Sequence, residues 1–235
     1  MKVVGIVGFK KSGKTTLTMR LSQELSTRGY RVAALKHTPA HISFPETDSS
    51  KFKEHCSFVA AIGQGETEII IKGEKTIDDI LAYCDSDIVL IEGFKREKTF
   101  PKIACIKDEA DKNELLDGLE LFTASFDGGN ADFAITNDDH IKKMASVIIE
   151  RGFKLPGSNC GDCGYQNCYE LAKDIVKGKT TVEACVTVYQ PISVMVNGSG
   201  LALDGFTAYL FKTRVMAMVS ASKGARSGPV EIKIP

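Results

Sequence analysis

Residues 2–15 read Lys2-Val3-Val4-Gly5-Ile6-Val7-Gly8-Phe9-Lys10-Lys11-Ser12-Gly13-Lys14-Thr15, and this stretch decides the fold. Gly8 to Thr15 match G-x-x-x-x-G-K-[ST] in full. The apolar run 3–7 ahead of the match reads as a short buried strand, and Leu17, Leu21 and Leu25 recur behind it at helical spacing until Gly29. Strand, glycine-rich loop and helix in that order form a phosphate cradle. The glycines let the backbone curl so that successive N–H groups point inward, and the new helix adds the positive end of its dipole. Lys14 supplies a point charge for the β- and γ-phosphates, and the Thr15 hydroxyl is a ligand for magnesium. Gly8, Lys10, Lys11, Ser12, Gly13, Lys14, Thr15 and Thr16 are thus the candidate residues for gripping a GTP- or ATP-like ligand.

Outward from the loop, strands alternate with helices. Arg31 to Lys36, Thr67 to Lys72, Lys102 to Lys107, Leu119 to Phe126 and Asp132 to Ile135 read as strands. Helices are expected over 52–60 (Phe52, Cys56, Val59, Ala60, capped by Asp48 or Ser49), from Thr76 to about Tyr83, and behind Asp138 with Ile141, Met144, Ala145 and Ile148. Asp87-Ile88-Val89-Leu90-Ile91-Glu92 is an unbroken apolar run closed by an acid, as in parallel strands covered on both faces. The expected fold class is α/β: a P-loop NTPase-type, mostly parallel sheet with helices on both faces, followed by a small α+β four-cysteine domain. Ligands of open α/β sheets gather at the carboxyl ends of strands. Glu92 is therefore the candidate metal acid, able to contact magnesium through a water or to polarise an attacking one, and Gly93 lets the backbone pass close to phosphate. Lys36-His37-Thr38 ends the second strand, and the polar loop to Asp48-Ser49 could reach the γ-phosphate or a second substrate, or else leave His37 a plain strand-end imidazole and Asp48 a helix cap. Asn137 and Asp139 follow a strand in a worn version of the guanine-reading N-K-x-D pattern, or simply cap a helix.

Bulk properties narrow the field. The chain has 235 residues, of which 43% are hydrophobic and 26% charged, and 30 basic residues balance 30 acidic ones, so the long-range field of a nucleic-acid or acidic-membrane binder is missing. No apolar run suggests a span, and the amino terminus flows straight into the loop, so a cytoplasmic protein is expected. Seven cysteines without an export signal argue against disulfides. Cys56, Cys84 and Cys105 read as buried, inert thiols.

The first 150 residues resemble MobB, the molybdopterin-guanine dinucleotide biosynthesis protein B family. The likeness rests on Gly8 to Leu17, Lys36-His37-Thr38, Asp48-Ser49 and Ile91-Glu92-Gly93-Phe94-Lys95. It implies GTP and Mg²⁺ as ligands, with slow hydrolysis at Lys14, Thr15 and Glu92 and with Glu92 and Asp48 near the metal and phosphates. The family's histidine-rich stretch is reduced here to Pro39-Ala40-His41. Partnership with a MobA-like guanylyltransferase, service to molybdenum or tungsten apo-enzymes, and a homodimer are further implications.

Composition changes at Leu155-Pro156-Gly157, which places the domains at 1–153 and 154–235. Cys160-x2-Cys163-x4-Cys168-x16-Cys185 follows, with glycines that let the loop fold its thiolates around one centre. Four thiolates suit an iron–sulfur cluster or zinc. The wide second spacing and the intervening helix (Tyr169 to Lys177) favour a 4Fe-4S cluster, zinc being the lesser alternative, and the segment is similar to the 4Fe-4S modules of corrinoid iron–sulfur proteins. Beyond it, a strand over 187–196, a turn at 197–200, a helix over 204–222 and a strand over 230–234 are expected. Three functions follow: a GTP-binding maturation factor with weak GTPase activity, a non-catalytic nucleotide-switched adaptor, and a nucleotide-gated redox protein.

Overall fold

The computed structural model describes residues 1–38, 42, 51–189, 194–196, 199–201, 203 and 205–220. The chain runs β1 (Lys2–Gly8), α1 (Lys14–Thr27), β2 (Val32–Lys36), β3 (Phe58–Ile62), β4 (Thr67–Ile71), α2 (Ile77–Leu81), β5 (Ile88–Glu92), β6 (Lys102–Cys105), α3 (Glu109–Leu115) and β7 (Glu120–Ser125). It continues through β8 (Phe133–Ala134), α4 (Asp138–Arg151), α5 (Cys168–Val176), α6 (Val186–Tyr189), β9 (Met195–Val196), β10 (Ser199–Gly200) and α7 (Gly205–Ser220).

Six strands form one sheet in the order β2-β5-β1-β6-β7-β8, every neighbouring pair parallel. Both faces are covered, which is why β1 and β5 are almost continuously apolar. On one face Leu17, Leu21 and Leu25 of α1 and Ile141, Met144 and Ile148 of α4 pack on Val4, Ile6, Ile88 and Leu90. Each fully buried leucine contributes about 1.5–3 kcal/mol. On the other face Leu115 of α3 joins Val7, Ala104 and Ile106. The chain leaves β1 for β2 on one side and later fills β6 to β8 on the other, so the crevice above β1 lies where connections diverge.

The chain divides into two compact units, residues 1–37 with 86–235, and residues 38–85. In the smaller unit β3 and β4 pair antiparallel, from Phe58↔Ile71 to Ile62↔Thr67. The expected helix over 52–60 is therefore corrected: Val59 and Ala60 lie in a strand, and Gly63 opens a hairpin turn in which its N–H donates to Glu66 O. The Thr76 capping box with Asp79 stands as expected. Asp48 and Ser49, and the strand over 230–234, lie outside the described residues.

In the larger unit the cysteine segment shares a core with the sheet domain: Leu119, Phe153 and Leu155 pack with Cys168, Leu171, Ala172, Val176 and Cys185. Asn167 caps α5 by accepting from the Glu170 N–H at 3.0 Å. The expected strand from Thr187 begins instead as helix α6, and among its described residues Met195–Val196 pair, with β10. The cap of α4 is Asn137 rather than Asp138. Cys105 is buried as expected, but Cys84 is half-buried and Cys56 is exposed. Among the described residues no helix is long and apolar enough to cross a membrane.

Candidate functional site

The loop between β1 and α1 is shaped by two glycines. At Gly8 an added Cβ would stand 2.4 Å from Ser12 Oγ and 2.6 Å from the Cys105 carbonyl oxygen, so only hydrogen fits. Gly13, at φ 86°, is the N-cap of α1 in the left-handed region. Its Cβ would strike Ile135 Cδ1 at 2.8 Å, which brings the β8–α4 turn to the rim of the loop. Helix α1 has neither a side-chain cap nor an acid in its first turn, so its N-terminal N–H groups are left for an anion. Ser12 is buried, and its Oγ lacks a hydrogen-bond partner. A cradle with no space for a Cβ, an orphaned buried hydroxyl and an uncapped helix start fit a polyphosphate.

Lys14 Nζ donates to Phe9 O at 2.5 Å, back across the loop. Burial lowers its pKa, opposed by the Glu92 charge. Cys105 lies beneath; burial pushes its thiol up to about 12, so it is a neutral floor.

The register Lys36↔Glu92 and Ile6↔Glu92 brings three strand ends together. Thr15 Oγ1 lies 3.0 and 3.2 Å from the two Glu92 carboxylate oxygens. Lys36 Nζ lies 3.2 Å from Glu92 Oε1 and 3.5 Å from Thr15 Oγ1. A hydroxyl and a carboxylate converging at the mouth of the loop are hard oxygen donors of the kind magnesium takes. Gly93 takes φ 106°, which favours glycine, and an added Cβ would crowd His37 Cβ at 3.0 Å. His37 donates its backbone N–H to Glu92 O at 2.9 Å, and its ring lies 4.6 Å from that of Phe94. Lys95 Nζ stands 3.4 Å from the centroid of the Phe9 ring. Lys10, Lys11 and Thr16 are exposed around the loop.

Asn137 Oδ1 accepts from the His140 N–H at 3.1 Å, so the residue read as a possible base contact also caps a helix. Asp139 pairs with Lys142 at 3.3 Å.

Sequence reasoning missed the side chains that fasten the loop after Glu92. Lys102 is fully buried and donates to Lys95 O at 2.8 Å and to Asp117 Oδ2 at 2.7 Å, and Lys98 binds the same carboxylate oxygen. Burial lowers the Lys102 pKa despite its one carboxylate partner. For Asp117 burial acts upward, but two lysines outweigh it and the net shift is down. The Tyr169 hydroxyl, one residue past Cys168, donates to Asp117 O at 2.5 Å.

Cys160, Cys163, Cys168 and Cys185 line one pocket, together with Asn159, Asn167 and Thr187. Asn159, Gly161 and Gly164 take positive φ, which curls the segment, and Asn159 Oδ1 accepts from the Cys168 N–H at 2.9 Å. The Thr187 hydroxyl, 3.4 Å from Cys160 Sγ, is the main cause that lowers that thiol's pKa. Among the described residues no three His, Cys, Asp or Glu side chains converge on a single ion. Four thiolates can hold zinc or the irons of a cluster. Four thiols sharing one pocket are a donor set that fits a cluster.

A glycine-curled loop feeding a helix from the central strand of an all-parallel sheet defines a P-loop-type α/β protein. The family model for molybdopterin guanine dinucleotide synthesis protein B matches residues 3–124, and the chain belongs to that family, MobB. A second model, "Putative Fe-S cluster", matches residues 155–187. A "Putative molybdopterin-guanine dinucleotide biosynthesis adapter protein" of Methanocaldococcus jannaschii is 27% identical over 100% of this chain and 97% of its own length. The Haemophilus influenzae molybdopterin-guanine dinucleotide biosynthesis adapter protein is 33% identical over 47% of this chain and 66% of its own. Among solved structures, the Bacillus stearothermophilus MobB homologue superposes with TM-score 0.50 at 26% identity, covering 64% of this chain and 100% of its own. Bacillus subtilis MobB gives 0.52 at 21%, over 63% and 98%.

Proposed function

We propose that this protein is a GTP-binding adapter in the making or delivery of molybdopterin guanine dinucleotide, with weak GTPase activity. The observation that carries the reading is the Thr15–Glu92 pair at the mouth of a loop that has no space for side chains at Gly8, in a chain of the MobB family. Backbone N–H groups of 8–16 bind the phosphates, Lys14 neutralises them, and Ser12 Oγ gains the partner it lacks. Magnesium, when bound, supplies Lewis-acid neutralisation of phosphate oxygens at Thr15 and Glu92. His37 and Gly93 border the phosphates, Asp48 is assigned to the metal and phosphates by the family resemblance alone, and Asn137 reads the base. Residues 1–153 carry this site, and 154–235 carry a 4Fe-4S cluster on Cys160, Cys163, Cys168 and Cys185. The partners are a MobA-like guanylyltransferase and molybdenum or tungsten apo-enzymes, met in the cytoplasm by a homodimer.

The test is calorimetric titration of GTP and ATP into the anaerobically purified protein and its Lys14→Ala variant, with iron analysis and capture of a MobA-type transferase on the same sample. GTP uptake that depends on Lys14 supports the reading. Uptake of neither nucleotide nor transferase ends it. Hydrolysis abolished in Glu92→Gln with cofactor maturation unchanged would select a non-catalytic, nucleotide-switched adaptor.

A second reading, a nucleotide-gated redox protein, is favoured by Lys102, which ties the loop after Glu92 to Asp117 and, through Tyr169, to the cysteine helix. A reduction potential indifferent to GTP counts against it.

A further inference from the structure

Lys36 sits at the end of β2 because its Cα is in register with that of Glu92, and Leu35↔Ile91 holds that register inside the sheet. Its ammonium touches both oxygen donors that would serve a divalent cation: Glu92 Oε1 at 3.2 Å and Thr15 Oγ1 at 3.5 Å. The Glu92 side chain is only 11% exposed, and a carboxylate so enclosed needs a cation. Lys14, the lysine of the loop motif, is turned onto Phe9 O at 2.5 Å. The Thr15 hydroxyl points its proton at Glu92, which leaves its lone pairs for a cation, and Lys36 takes one of them.

We propose that Lys36 is the resident cation of the nucleotide site: it does for Thr15 and Glu92 in the free protein what magnesium does in the loaded one, so nucleotide is taken up without magnesium. This deepens the reading given under Proposed function and rests on it. An ammonium carries three donors, and the two bonds above use two of them, leaving the third for a phosphate oxygen. A divalent ion and the ammonium repel at this range and cannot share the two oxygens. Magnesium must therefore displace Lys36. The side chain is 59% exposed and hangs on a four-carbon stem, so it swings out into water at little cost.

The experiment titrates GTP into the full-length protein with excess magnesium and with EDTA, using wild type, Lys36→Met and Lys36→Arg of matched thermal stability. Wild type binds GTP in EDTA. Lys36→Met loses about tenfold or more in affinity in EDTA but less than about threefold with magnesium, the size expected for one charge-assisted hydrogen bond that magnesium replaces. Lys36→Arg recovers part of the magnesium-free binding. Equal losses for wild type and Lys36→Met on removing magnesium overturn the proposal while the nucleotide site stands. A wild type that binds no GTP even with magnesium overturns both.

Discussion

Replacing Asp117 by Asn removes one negative charge from between two lysines while changing little else. Asn keeps an oxygen for the Leu119 N–H, which Asp117 Oδ1 now accepts at 3.3 Å. What is lost is the counter-ion of Lys102, whose side chain is 1% exposed and would be left with the Lys95 carbonyl oxygen as its acceptor. Breaking a buried ion pair from one side typically costs about 3–5 kcal/mol, because the surviving charge is stranded. For a chain of this size each kcal/mol moves Tm by roughly 2–4 °C, so a drop of roughly 6–20 °C is expected in a thermal melt followed by circular dichroism. The converse change, Lys102→Met, leaves Asp117 paired with Lys98 and should cost only about 1–2 kcal/mol. The ordering carries the logic: the double variant should be more stable than Asp117→Asn alone. The folded-state pKa of Asp117 lies below its ordinary value, so its contribution is present above about pH 4 and fades as pH falls through the lowered value. Asp117→Asn should therefore flatten the acid limb of the stability curve. A variant within 1 kcal/mol of wild type, or Lys102→Met worse than Asp117→Asn, would refute the reasoning.

Gly8→Ala forces a methyl against Ser12 Oγ and the Cys105 carbonyl; an overpacking loss of about 1–3 kcal/mol together with loss of GTP binding is expected by melt and calorimetry. Asn137→Ala removes a helix cap, costing about 1 kcal/mol, and should also lower the preference for GTP over ATP; an unchanged preference would confine Asn137 to capping. Iodoacetamide at pH 8 should label exposed Cys56 in the native protein and spare Cys105, whose thiol burial pushes up to about 12, until denaturant is added, as peptide mass mapping would show.

Much of the sheet domain was legible because its signals are local. The loop 8–15, its strand and its helix occupy one continuous stretch, and the run 88–92 is apolar because both faces are covered. The segment 52–60 misled because Phe52, Cys56 and Val59 satisfy helical spacing, while the pairing of 58–62 with 67–71 depends on a turn whose register periodicity does not encode. Helix Glu109–Leu115 passed unnoticed: of its residues only Asp111 and Leu115 are buried, too few to make a stripe. The contacts of Lys102, and those of Lys36 within its strand-end motif, were out of reach for a different reason. Lysine is seldom buried or functional by default, and each acquires its place from a partner on another element, Glu92 across the sheet or Asp117 after α3.

The seam formed by Leu119, Phe153 and Leu155 with Cys168, Leu171 and Cys185 means the two halves are not beads on a string. A fragment trimmed after Arg151 would lose Phe153 and Leu155 and expose Leu119 to water, so it should be sticky and hard to keep in solution. Conversely, oxidation of Cys168 or Cys185 would disturb one wall of the sheet domain itself, tying the durability of one half to the chemical health of its neighbour.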